Sequence, residues 1–346
     1  MNASDCQRNL RNHRVLLTQR PTALPGTEHF SLDEQTVLEP GPGDVLLETL
    51  YVSVDPAMRV WMNEDPGYVA PIALGEVMRA GGVGRVLASR SSQFAVGDVV
   101  QGRLGWQTHP TLPADQLTSV DASLGSPLEW MGPLGGTGLT AYFGMYRVGA
   151  VQPGDRVLVS AASGGVGQIA ASIARLEGCH TVGIAGGEAK CGYLTRSLGL
   201  TGAIDYKAVE DIGAALDEAF PDGIDVYFDN VGGPILDAVL ERLRMKGRVV
   251  ICGRISQTGS ESLYGVRNLG SLIGKRARVE GFIVSDYATE FDAARAWLSA
   301  RIKAGELSQR MHVLDGLEQA PEGLGMLFRG ENTGKLVVQL GQVDVV

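Results

Sequence analysis

The stretch Arg156–Leu176, RVLVSAASGGVGQIAASIARL, carries a short β-branched apolar run into a glycine cluster and then into apolar residues at helical spacing. Strand, tight turn and helix in that order are the parts of a phosphate-gripping loop. Glycine meets three needs there: the turn off the strand, close approach of the backbone to a pyrophosphate, and close packing of helix on strand. The diphosphate then faces free N–H groups at the positive end of a helix starting near Gly165. Gly164 and Gly167 occupy the second and third places of G-x-G-x-x-G, and Ala162 occupies the first.

Outward from that turn, Gly154 to Val284 keeps alternating β-rich and helical runs: TVGIAGG, EAKCGYLTRSLG, GAIDY, VEDIGAALDEAF, IDVYFDNVGG, PILDAVLERLR and GRVVICG. Such alternation predicts a parallel sheet with helices on both faces. Up to about Gly135, short apolar runs broken by Gly and Pro predict antiparallel β-structure. EFDAARAWLSARIKAGE places Phe291, Ala294, Trp297, Leu298 and Ile302 at helical spacing, and the final β-run, LVVQL, is placed to rejoin the first domain.

At 346 residues the chain exceeds one ordinary core, and 44% hydrophobic with 20% charged residues is a globular composition. A net charge of −9 argues against a nucleic-acid surface. Arg8, Arg11, Arg14 and Arg20 read as a solvated basic arm. No run approaches ~18 apolar residues and no signal-peptide core is present, so a cytoplasmic protein with no membrane partner is expected. Cys6, Cys179, Cys191 and Cys252 form no C-x-x-C pair or His/Cys cluster, which supports neither a metal site nor disulfides. Cys179 and Cys252 read as small buried hydrophobes.

The second strand chooses the dinucleotide. An NAD site places Asp or Glu roughly 20 residues beyond the glycine turn to accept from the ribose 2′-hydroxyl. Here Gly186 and Gly187 stand instead, which leaves room for a 2′-phosphate, and Lys190 can supply the counter-charge. Glu188 is the objection, met if its carboxylate serves the following helix start. NADP(H) is the expected cofactor.

The ordered set AASGGVGQ, AGGEAKC, DYK, YFDNVGG, ICGRIS and GENTGK, with VSVDPAMR and GLTAYFG before it, resembles the zinc-independent medium-chain dehydrogenase/reductases. The resemblance is to the branch of leukotriene B4 dehydrogenases, prostaglandin reductases, and 2-alkenal and curcumin reductases. It implies an α/β fold: a GroES-like β-rich catalytic domain over 1–134, a doubly wound parallel-sheet Rossmann domain over 135–303 and a C-terminal return over 304–346, with NADPH in the intervening cleft. Carried over by position, Gly164, Gly165, Val166 and Gly167 match the pyrophosphate turn, and Lys190 and Tyr206 match the 2′-phosphate side chains. Asn230 matches a cofactor-contacting asparagine. Cys252, Gly253, Arg254, Ile255 and Ser256, with Phe282, Ile283 and Val284, match segments passing the nicotinamide half, and Asn332 matches a late cofactor contact. The family also implies a homodimer.

Zinc-assisted alcohol oxidation needs Cys and His ligands. The corresponding stretch, ALGEVMRAGGVGRV, offers Glu76 and neither. Without a metal, hydride addition to a C=C conjugated with a carbonyl is the easier reaction, because the developing charge spreads into an enolate that hydrogen-bond donors can stabilise. The resemblance implies hydride transfer to the β-carbon of an α,β-unsaturated aldehyde or ketone and protonation at the α-carbon. This chain departs from the family at Ala57 and Thr258, where relatives often carry tyrosine, and Tyr264 is the candidate replacement phenol. Arg59, Tyr68, Trp106 and His109 are candidate pocket residues beside Ala57. Quinone reduction, or NADPH binding without turnover, are the rival readings.

Overall fold

The computed structural model describes residues 10–37, 39–259 and 264–342, so Cys6 and Arg8 lie outside the described residues. The chain divides into two compact units, one of Met1–Met131, His312–Glu331 and Leu336–Val346, the other of Gly132–Met311 and Asn332–Lys335.

In the second unit, six strands follow the sequence alternation: β1 (Arg156–Val159), β2 (His180–Ala185), β3 (Gly202–Asp205), β4 (Ile224–Asp229), β5 (Leu243–Ile251) and β6 (Arg278–Gly281). They lie in the order 3-2-1-4-5-6, and every pairing is parallel. This is the doubly wound Rossmann order, whose direction reverses between β1 and β4 and leaves a crevice beyond their carboxyl ends. Helices α1 (Gly165–Leu176), α2 (Glu188–Gly192), α3 (Ile212–Ala219) and α4 (Gly233–Arg242) connect the strands. Because helices cover both faces, central strands read as continuous apolar runs, and all six residues of β4 are buried. Leu158, Val182, Ile184, Tyr227, Val239, Leu240 and Val249 form one core cluster. Asp211 caps α3, accepting the N–H groups of Gly213 and Ala214. The expected amphipathic helix is Phe291–Lys303, which buries Ala294 and Leu298.

The first unit is the GroES-like one. Its long strand Asp44–Ser53 pairs antiparallel with Gly82–Ser89 and with Lys335–Gln339, so the last strand does complete the first sheet. Arg11–Leu17 and Phe30–Thr36 form a separate antiparallel hairpin. Val15, Leu17, Val52, Met58, Trp106, Leu324, Leu336 and Val338 share one core. The solvated basic arm is corrected here. Arg11 and Arg14 belong to the hairpin, and Arg14 Nε donates to Asp33 at 2.8 Å. Arg20 donates to the carbonyls of Met62, Asn63 and Ile72 at 2.5, 3.1 and 2.9 Å. Arg14 thus ties the two hairpin strands and Arg20 fastens the loop carbonyls beside it, so neither is a free solvated arm. No described helix is long and apolar enough to cross a membrane.

Candidate active site

β1 ends at Val159, and the chain turns through Ala161, which adopts the left-handed region at φ +46°. Gly164 N–H donates back to the Ala161 carbonyl at 2.9 Å, and Ala162 N–H donates to Ile184 of β2 at 3.0 Å. Gly164 is the extended N-cap of α1 and supplies no side-chain acceptor. The first-turn N–H groups of α1 thus lack intrahelical partners, as an anion site requires. Gly164, Gly165 and Val166 are half-exposed, whereas Gly167 is buried. A Cβ on Gly167 would lie 2.8 Å from Ala162 Cα and closer still to the Ala161 oxygen, so glycine is what lets the helix sit this near the turn. Behind it, fully buried Gln168 accepts from the Tyr193 hydroxyl at 2.6 Å and the Arg310 N–H at 2.9 Å, which fixes α1.

The ends of β4 and β5 are organised by Asp229, a residue sequence reasoning passed over although it stands in the quoted YFDNVGG. Its fully buried carboxylate oxygen Oδ1 accepts from Ser160 Oγ, the Tyr227 hydroxyl and the N–H groups of Val231 and Gly232, at 3.1, 2.7, 2.9 and 2.8 Å. Burial pushes this carboxyl above its ordinary value against those donors. Asn230 is tied to the glycine turn: its N–H donates to Ser160 Oγ at 2.9 Å and its side-chain amide to the Ser160 carbonyl at 2.7 Å. The Asp229 carbonyl accepts from Cys252 and Gly253, the Asn230 carbonyl accepts from Ile255, and Ser256 bonds to Val231. Arg254 adjoins that turn, its Cβ 3.6 Å from where a Cβ on Gly232 would lie. The structure therefore brings Asn230 and the Cys252–Ser256 stretch, both expected from the sequence, together. Burial, then Asp229, pushes the Cys252 thiol up to about 12, which leaves it inert as a nucleophile.

Other expected contacts fall differently. The Phe282 ring packs against Gly144 beside Phe228, as a core residue does, while Ile283 is exposed and Val284 opens the short helix Val284–Glu290. The Asn332 amide donates to the Gly334 carbonyl at 2.7 Å, so its side chain holds its own turn.

At the ends of β2 and β3, Ala185 pairs with Asp205, so Gly186 and Gly187 run beside Tyr206 and Lys207. Asp205 Oδ1 accepts the N–H of Gly187 at 2.8 Å and of Lys207 at 3.0 Å, and these bonds hold its carboxyl below the usual range. Gly186 leaves no open room, contrary to expectation: a Cβ there would lie 2.8 Å from the Tyr206 ring and 3.0 Å from Lys207 Cε. Space is free at Gly187, where φ is +93° and a Cβ would meet nothing within 4 Å. Burial, and secondarily Lys207, lowers the Lys190 ammonium. Glu188 is exposed in the first turn of α2.

Two candidate pocket residues are corrected. Trp106 is wholly buried in the first unit's core, its indole N–H donating to the Ser53 carbonyl at 3.1 Å. Arg59 is 6% exposed and donates to the carbonyls of Pro21 and Ala23 and to Asn63, so its guanidinium fastens a loop. His109 Nδ1 lies 3.0 Å from the Arg11 carbonyl, and burial lowers its pKa. Tyr68 is exposed, its hydroxyl accepting from the Trp61 indole, and Ala57 opens the short helix Ala57–Trp61. Tyr264 donates its phenolic proton to Asp237 at 2.7 Å, and that carboxylate raises its pKa. This commitment removes the geometric ground for a proton-donor role.

Residues 13–120 match a family model described as the N-terminal domain of oxidoreductase, and residues 165–300 match one described as zinc-binding dehydrogenase. The chain is 36% identical to the NADPH-dependent curcumin reductase of Escherichia coli strain K12 over 98% of this chain and 99% of that protein. It is 40% identical to the NADP(+)-dependent 2-alkenal reductase of Nicotiana tabacum over 96% and 98%. It belongs to the medium-chain dehydrogenase/reductase family. Among solved members, CurA from Vibrio vulnificus in complex with NADPH superposes with a TM-score of 0.91 at 35% identity, covering 96% of this chain and 100% of that one. Zinc, named in one family description, does not fit this member's donor set: among the described residues no group of three or more His, Cys, Asp and Glu could hold a metal. Glu76 accepts from the Ala73 N–H in a stretch without His or Cys.

Proposed function

We propose that this oxidoreductase uses NADPH to reduce the C=C bond of α,β-unsaturated aldehydes and ketones. The observation that carries the reading is the glycine turn at the end of β1 beside Lys190 and Tyr206 at the ends of β2 and β3, the two anchors an NADP dinucleotide needs. The names of the curcumin and 2-alkenal reductases, and the NADPH complex of CurA, support the same cofactor and substrate class.

Bound NADPH supplies the hydride. The free N–H groups at Gly165 and Val166 bind the pyrophosphate, Lys190 and Tyr206 bind the 2′-phosphate, and the Asp229-organised turns at Asn230 and Cys252–Ser256 border the nicotinamide half. Hydride goes to the β-carbon, the charge moves onto the carbonyl oxygen as an enolate, and the α-carbon takes its proton from solvent, since the Tyr264 proton is held by Asp237. The test is NADPH consumption against alkenals, aryl enones and quinones, with product analysis to locate the new C–H bonds. Reduction of the conjugated C=C is expected. Equal or faster quinone turnover would make the protein a quinone reductase, and tight NADPH binding with no turnover would make it a binding protein.

The homodimer implied by the resemblance finds support at the sheet edge. All four residues of β6 are solvent-exposed and the strand ends the sheet order, with Ile273 and Ile283 exposed close to it in sequence. Antiparallel pairing of two copies about Val279 would set Arg278 of each opposite Glu280 of the other, a self-complementary arrangement.

A further inference from the structure

We infer that Lys207 is a second cationic determinant of the 2′-phosphate site and takes part in choosing NADPH over NADH. The inference rests on the cofactor reading above and extends it to a residue that reading does not use.

The register makes the case. Beyond the Ala185–Asp205 pair, the two parallel strands leave their ladder side by side, and Asp205 clamps them together through the N–H groups of Gly187 and Lys207. Because Gly186 has no side chain, the Lys207 stem lies across it, with Cε 3.0 Å from the position a Cβ would take, next to the Tyr206 ring. Lys207 is thereby carried toward Lys190 on α2, close enough that its charge disfavours the Lys190 ammonium. Two like charges this close repel each other, and an anion bound between them would relieve that repulsion. A phosphate monoester carries close to two negative charges at neutral pH, which one lysine cannot balance. Asp205 balances at most one of the two charges: after its two backbone donors, the Lys207 ammonium also helps hold its carboxyl low. Tyr206 adds a phenol at the rim, 48% exposed.

The test uses the full chain and two fragments that differ only in the 2′-phosphate, 2′,5′-ADP and 5′-AMP, titrated calorimetrically. Lys207→Met keeps the methylene packing on Gly186 and removes the charge. It is expected to weaken 2′,5′-ADP about tenfold, as loss of a charge-assisted contact would, with 5′-AMP unchanged and Lys207→Arg retaining most of the affinity. Unchanged 2′,5′-ADP binding in Lys207→Met, with binding weakened in Lys190→Met, overturns the inference and leaves the cofactor reading standing. If neither variant weakens 2′,5′-ADP, the 2′-phosphate reading itself fails. Equal weakening of both fragments assigns Lys207 to packing and overturns its role in specificity.

Discussion

Gly167→Ala is the sharpest probe of the dinucleotide turn. The added methyl would lie 2.8 Å from Ala162 Cα and 2.9 Å from the Ala161 carbonyl carbon, about 0.7 Å inside an ordinary carbon–carbon contact. Both are backbone atoms of a turn whose left-handed residue, Ala161, has no slack, so α1 must move away from β1. Overpacking of this kind costs about 1–3 kcal/mol, and each kcal/mol lowers the melting temperature by about 2–4 °C in a unit of this size. The same displacement draws the first-turn N–H groups off the pyrophosphate, and at about tenfold per 1.4 kcal/mol the affinity for NADPH should fall at least tenfold. Calorimetric unfolding and cofactor titration read the two effects. Gly274→Ala is the control, since a Cβ there meets nothing within 4 Å and alanine favours its helix by about 0.5–1 kcal/mol. Wild-type melting temperature and NADPH affinity in Gly167→Ala would refute the role given to this glycine.

Trp106→Phe should lower stability by about 1–3 kcal/mol through loss of the buried bond to Ser53, with KM for the enone unchanged; a raised KM at unchanged stability would return Trp106 to the pocket. Burial pushes the Asp237 carboxyl up, but the Tyr264 hydroxyl and the Arg267 and Asn268 N–H groups prevail and hold it below its ordinary value. Its stabilisation is therefore present above the unfolded-state pKa and disappears as pH falls through the lower folded value. The stability gap between wild type and Asp237→Asn should close at acid pH, and a gap constant from neutral to acid would contradict this. Under the proposed edge pairing the wild type sediments as a dimer, Glu280→Arg shifts it toward monomer by facing arginine with arginine, and the Arg278→Glu/Glu280→Arg swap restores it; a monomeric wild type or an unaffected Glu280→Arg would refute the pairing.

The fold was legible wherever a period or a spacing carried it. The helix expected near Gly165 begins there, the strand–helix alternation became the 3-2-1-4-5-6 sheet, and the closing β-run returned to the first one. The site was legible only where backbone makes it. Side-chain roles depended on partners distant in sequence: Arg59 reaches carbonyls at Pro21 and Ala23, Trp106 reaches Ser53, and Tyr264 reaches Asp237. Asp229 carried no signal of its role in the sequence, because the donors converging on it come from the end of β1, β4 and the following turn, which only the sheet order brings together. Lys207 was hidden by register, since nothing in DYK tells which strand will lie beside it.

The pairing of Val337 with Ser53 sets an order of assembly. On a ribosome adding about 5–20 residues per second, the Tyr51–Ser53 end of the strand Asp44–Ser53 waits roughly 15 s or more for its partner, although Thr111–Pro113 pairs its Asp44–Leu46 end much earlier. Meanwhile the dinucleotide-binding unit, almost contiguous in sequence, emerges whole and can close its core. Leu324, Leu336 and Val338 arrive last and fill the core around Val52 and Met58. The nascent GroES-like sheet thus leaves the Tyr51–Ser53 end of that edge bare through most of translation, and chaperone contact during synthesis is expected to concentrate there.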